Sequence, residues 1–135
     1  MNKKSHNLTL EELENNVWEE PEYDSHLVKT CHELRKIPLC ELTVENIRML
    51  IGQKIGLEYI TPIALEYLEE NPWSMGDFYD GDLLVNVLKI DKIFWNNHLE
   101  WLYRLSEIMV RIENNIELYH NEISPIWIKI SKEIL

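Results

Sequence analysis

The sequence predicts an all-α protein, a compact single-domain bundle of roughly six to eight helices. Three observations carry this. Only 4 Gly and 5 Pro occur in 135 residues, too few turn-formers for a loop-rich β fold. Apolar residues recur at intervals of three and four, most regularly at Leu102, Leu105, Met109, Ile112, Ile116 and Tyr119. Good capping residues precede the periodic stretches, as where Thr9 and Glu12 form a T-x-x-E capping box.

Taken in order, residues 1–8 are polar and expected to be loose. The capping box starts a short helix, Leu10–Asn15. The next segment carries Pro21 and reads as an extended acidic loop, with Trp18 and Tyr23 against the core. Asp24 or Ser25 caps a helix over about Ser25–Lys36. Its apolar stripe is Leu27, Val28, Cys31 and Leu34, with Lys29, Arg35 and Lys36 on the other face, and Pro38 stops it.

Val44–Leu68 is the longest apolar-rich region and is expected to form the centre of the core. Each fully buried Leu or Ile there contributes roughly 1.5–3 kcal/mol. It divides into Val44–Gln53, capped by Thr43, and a second helix ending near Glu70. Thr61-Pro62 suits the start of the main part of that helix. Gly56–Ile60 is then either a lead-in turn or a stretch kinked by Pro62.

Asn71-Pro72 ends this helix, and Trp73–Gly81 is a loop by its turn residues. Asp82 caps a helix to about Ile90, and Asp91 caps a short turn through Phe94 and Trp95. About His98–Tyr119 is the longest helix, laid along the core; three heptads are short for a coiled-coil seam. Ser124-Pro125 opens a final helix with Ile126, Trp127, Ile128, Ile130 and Ile134. Its alternating isoleucines would also suit a strand, but no partner strand is available.

The net charge of −11 is unevenly placed. Residues 11–24 hold seven acids and no base, and residues 58–91 hold eight acids against Lys89 alone. This disfavours direct nucleic-acid binding, which needs Lys and Arg clusters. It suits solubility, and it can steer a basic partner. No run reaches the ~18 apolar residues of a spanning helix, and no signal peptide opens the chain, so a cytoplasmic protein is expected. Cys31 and Cys40, the only cysteines, are then expected as reduced thiols.

No chemistry-bearing motif emerges. Cys31, His32, Cys40 and His26 lack the paired spacing of a structural zinc site, and His32 is expected off the stripe that holds Cys31. Asp24, Ser25 and His26 are adjacent and cannot converge as a triad. Glu19-Glu20 and Glu69-Glu70 read as solvated acids rather than a facing catalytic pair. The glycines of Gly52–Gly56 match no phosphate loop. No catalytic residue, metal or cofactor is therefore expected. The most interaction-prone composition is Trp73–Gly81, with three aromatics beside acids.

The chain resembles the immunity proteins of bacterial contact-dependent growth inhibition systems. The resemblance lies in LEELE at Leu10–Glu14, the W-x-E-P-x-Y-D-S stretch at Trp18–Ser25, and Leu27–Leu39. It continues through Leu42–Pro72, Gly76–Leu88 and the Phe94-Trp95 pair, leaving the last forty or so residues unmatched. It implies a protein that binds the toxic C-terminal domain of a delivered effector in a one-to-one complex, itself monomeric when free. Such toxins are often basic nucleases, some resembling pancreatic-type ribonucleases, and an acidic surface can occupy their substrate groove.

The expected toxin contacts are Glu66, Glu69, Glu70, Trp73, Asp77, Phe78, Tyr79, Asp80 and Asp82. Acids would pair with toxin Lys or Arg while an aromatic fills a central pocket. Against this stands a reading in which Trp73, Phe78 and Tyr79 are core residues and the acids only confer solubility. The alternative function is a helical adaptor or regulatory subunit that binds another basic protein.

Overall fold

The computed structural model describes residues 5–22 and 25–134. Among them are eight α-helices: α1 Leu10–Glu14, α2 His26–Leu34, α3 Val44–Gly52, α4 Leu57–Glu70, α5 Asp82–Leu88, α6 Lys92–Asn96, α7 Leu99–Leu118 and α8 Ser124–Ile134. Single 3-10 turns at Ser5–Asn7 and Leu39–Glu41 precede α1 and α3. The all-α expectation holds. Tyr23 and Asp24, with the contacts and caps expected of them, lie outside the described residues.

α3 and α4 form the centre, as their density of apolar residues requires. α3 packs on α4, α5 and α2, while α4 also carries α5 and α7. Ile47, Leu50, Ile60, Ala64, Leu65, Leu68, Leu83 and Val87 are fully buried in one cluster. Two caps work as sequence predicts. Thr9 Oγ1 accepts from the Glu12 N–H while Glu12 Oε1 accepts from the Thr9 N–H, both at 3.1 Å. Thr43 and Asn46 repeat the exchange at the start of α3. α1 reaches the centre through Leu10, beside the left-handed Gly56 (φ 61°).

Three local expectations are corrected. α4 is continuous from Leu57, so Thr61-Pro62 lies inside it rather than at its start. An internal proline costs about 3 kcal/mol. Burying Ile60, Ala64, Leu65 and Leu68 around it outweighs that, at roughly 1.5–3 kcal/mol for each large side chain.

On α2 the buried face is Cys31, His32, Leu34 and Arg35, whereas Leu27 and Val28 are exposed. Arg35, expected to face solvent, is 0% exposed. The reason is the acidic segment after α1. Glu14 accepts from Arg35 Nη2 at 3.0 Å, the Asn16 carbonyl accepts from it at 2.8 Å, and Trp18 stacks over the guanidinium at 4.0 Å. The charge-assisted bonds all fall on Nη2, and the stacked indole covers the group, whose Nε and Nη1 are buried without a hydrogen-bond partner.

α7 is buried at Leu105, Ile108 and Ile112, with Trp101 and Met109 packed partly against the core; Leu102, Ile116 and Tyr119 of the predicted stripe are exposed. Ser124 does open the final helix, α8, as expected, but no loop separates it from α7. A π-turn at Tyr119–Ile123 joins α7 to α8 without a break. Pro125 has no N–H for the Asn121 carbonyl, and its ring would clash with it; a wider turn relieves both.

Candidate functional site

The loop between α4 and α5 is built on its backbone. Asn71 Oδ1 accepts from the Trp73 N–H at 3.0 Å, and Ser74 Oγ donates to the Asn71 carbonyl at 2.6 Å, turning the chain off the end of α4. Gly81, with φ 91°, turns it into α5 and donates its N–H to the Trp73 carbonyl at 3.1 Å. Only a residue without Cβ adopts this conformation readily. An antiparallel bridge pairs Met75 with Asp80 across the base of the tip.

Asp82 organises the tip from inside. It is 1% exposed, and its carboxylate accepts from the N–H groups of Gly76 at 2.6 Å, Phe78 at 3.1 Å and Tyr79 at 3.5 Å. The expectation that it caps α5 and faces a partner gives way to this role. α5 is instead preceded by Gly81.

A second carboxylate comes from α3. Glu45 Oε2 accepts from the Asp77 N–H at 2.7 Å and from Arg48 Nε at 2.8 Å. Gly76 lies between these groups, where a Cβ would come 2.3 Å from Glu45 Oε2 and 3.1 Å from Asp82 Oδ2. Any side chain there would push the two carboxylates aside.

The charges are tuned accordingly. The Arg48 hydrogen bond, opposed by burial, holds Glu45 below its ordinary value, and the same bond raises Arg48. Burial works to raise Asp82, but the three N–H donors and the Arg48 guanidinium outweigh it and leave its pKa lowered. Arg48 also lies 4.6 Å under the Phe78 ring, a cation–π contact that orients the loop.

What this frame holds up is open. Phe78 is 67% exposed, Tyr79 52%, Met75 50% and Trp73 45%, with Asp77 and Asp80 exposed beside them. The core alternative for Trp73, Phe78 and Tyr79 therefore fails. Glu66 and Glu70 line a different feature, a recess of about 240 Å³ shared with His6, Leu39, Cys40, Ile63 and Tyr67.

Glu69 is engaged within the molecule. Its carboxylate accepts from Arg104 Nε at 3.2 Å, which raises the Arg104 pKa, and its carbonyl accepts from Arg111 at 2.7 Å. These bonds tie the end of α4 to α7. The structure thus gathers Trp73 and residues 77–80 on one loop and Glu66 with Glu70 in one recess, and it takes Asp82 inside.

Sequence reasoning passed over Met75, Glu45 and Arg48. The only signal for the last two was an acid and a base three apart on one helix, a common surface pattern.

The family profile of CDI immunity proteins matches residues 12–105, from within α1 into α7. The chain belongs to the CDI immunity proteins. No curated protein and no solved structure matches it.

The family match contains the whole loop, both organising carboxylates and every residue lining the recess except His6 in this CDI immunity protein, and it stops before the exposed half of α7. Among the described residues, no three His, Cys, Asp or Glu side chains converge as a metal site, and no helix is long and apolar enough to cross a membrane. Cys31 and Cys40 are free thiols, and burial pushes the Cys31 thiol up.

Proposed function

We propose that this CDI immunity protein works in the cytoplasm, where it neutralises a basic nuclease toxin domain, of pancreatic-ribonuclease type, by seating the Trp73–Gly81 loop in the cleft that grips phosphate. The observation that carries the proposal is the loop itself. Four apolar side chains and two carboxylates stand in solvent on a backbone fixed by Asp82 and Glu45. Exposed aromatics ringed by charge are the anchor-and-rim pattern of tight interfaces. A preset loop loses little conformational freedom on docking.

In this reading Phe78 or Tyr79 fills the central pocket, and Asp77 and Asp80 pair with toxin Lys or Arg. The recess of Glu66 and Glu70 takes a further basic side chain. Glu69 contributes through the general field only, because Arg104 already holds it. Asp82 acts through the loop's shape. The complex is one-to-one, and long-range attraction speeds its formation, to ~10⁸–10⁹ M⁻¹s⁻¹ at low salt.

The test is co-expression with the C-terminal domain of the effector encoded beside the gene, followed by binding measurements. Protection should persist for the native chain and fail for a Phe78→Ala/Tyr79→Ala variant. Asp77→Asn/Asp80→Asn should slow association and flatten its salt dependence. Unchanged affinity and salt dependence in both variants would move the site elsewhere. Cell death despite soluble native protein would remove the proposal.

A further inference from the structure

Beyond Ile112 the helix runs out past the core cluster. Among the described side chains of residues 113–129 none is buried, and Ile116, Tyr119, Ile123, Ile126 and Trp127 are each 47–62% exposed. At 1.5 Å per residue, residues 113–134 project roughly 30 Å. Tyr119, Ile123 and Trp127 follow at intervals of four through the π-turn and the α-helix after it, so they line one side. Steps of three extend the line back to Ile116 and forward to position 130.

We infer that a second copy of this chain covers this stripe, the two helices running antiparallel about a twofold axis at Ile123. Three features favour that occupant and that direction. The apolar positions 116, 119, 123, 127 and 130 are symmetric about Ile123, so a twofold sets Tyr119 against Trp127 and Ile123 against itself. A twofold interface must be self-complementary in this way.

The pair of charges nearest the axis obeys the same operation. Residues 113–123 hold Glu113, Glu117 and Glu122 with no Lys or Arg, while residues 124–134 hold Lys129 and Lys132 against Glu133. Antiparallel pairing places Glu117 opposite the partner's Lys129 on both sides of the axis and sets Glu113 opposite Glu133 only at the outer ends, whereas parallel pairing in register sets every charge against its like. The lengths also agree, since position 134 falls opposite Ile112, the last buried residue of α7, so each helix ends where the other body begins. This replaces the expectation of a free monomer. It does not involve the toxin-facing loop.

Sedimentation of the full chain without toxin tests the proposal. A dimer is expected at micromolar concentration. Glu117→Lys or Lys129→Glu alone should weaken dimerisation about tenfold, and the double exchange should restore it, as complementary pairs require. In a Cys40→Ser background, Ile123→Cys should crosslink to itself on oxidation, whereas Tyr119→Cys should crosslink only when mixed with Trp127→Cys.

A monomer at all concentrations overturns the inference. So does efficient self-crosslinking at Tyr119→Cys, which would mean parallel helices, or dimerisation indifferent to both charge reversals. Loss of toxin binding in Ile123→Asp, with the native free chain monomeric, would assign the stripe to the toxin. Because the stripe lies outside the core, circular dichroism of each variant should match the native chain.

Discussion

Replacing Asp82 separates the frame of the loop from its exposed surface. In Asp82→Ala the N–H groups of Gly76, Phe78 and Tyr79 lose their acceptor, and Arg48 loses a carboxylate 3.9 Å away. A hydrogen bond to a charged group contributes about 1.5–3 kcal/mol in place. The bond to Tyr79, at 3.5 Å, counts for little, and the freed N–H groups rehydrate because the tip is exposed. Removing the buried charge also removes its desolvation cost. The net loss should therefore be about 2–4 kcal/mol for Ala and about half that for Asn, which keeps one acceptor oxygen.

Urea unfolding followed by circular dichroism measures the loss. Hydrogen exchange should show faster exchange at Gly76 and Phe78 with the α3–α4 core unchanged. Toxin affinity should fall with loop order, although Asp82 touches nothing outside the molecule. A loss under 0.5 kcal/mol with those amides still protected would refute the claim that this carboxylate organises the loop.

The acid limb of stability should carry the signature of the same pair. Glu45 and Asp82 titrate lower in the folded chain than at their ordinary values of 4.5 and 3.8. Their contribution is thus complete above those values and lost as pH falls through the lower folded ones, and Glu45→Gln should flatten that limb in pH-dependent unfolding. Arg35→Ala should destabilise by about 2–4 kcal/mol and expose the Glu14–Glu20 segment to cleavage by a glutamate-specific protease. Gly56→Ala forces a left-handed φ of 61° on alanine and a Cβ 2.7 Å from Leu10, so its melting temperature should fall by several degrees, a loss of about 1–3 kcal/mol. Phe78→Ala should leave unfolding within about 0.5 kcal/mol of native, because the side chain is mostly exposed.

Helices were legible where period, cap and breaker agreed. Thr9 and Thr43 mark their starts correctly, and the α3–α4 run is the core because nothing else in the chain is so apolar. The misreadings come from long-range neighbours. Arg35 looks like a surface cation until Glu14, Asn16 and Trp18 fold over it from about twenty residues earlier. Pro62 looks like a helix start because local rules do not weigh the packing around it.

The stripe of α7 reads as core along its full length, but periodicity says only that a face is apolar, not what covers it. At the loop, composition marked Trp73–Gly81 as interaction-prone but left open whether its aromatics were core or surface, which only the fold decides. It could not separate Asp77 and Asp80 from Asp82, since that distinction lies in where three backbone N–H groups point.

The loop's frame also bears on how such a protein can change its target. Asp82 and Glu45 grip main-chain N–H groups, which nearly every residue type supplies, so the hold does not depend on which side chains occupy positions 77–79. Those positions can be exchanged at little expense to folding, provided Gly76, Gly81, Glu45 and Asp82 stay. Under the proposed function, such a scaffold lets recognition drift as the opposing toxin drifts, with the framework inherited and the fingertip rewritten.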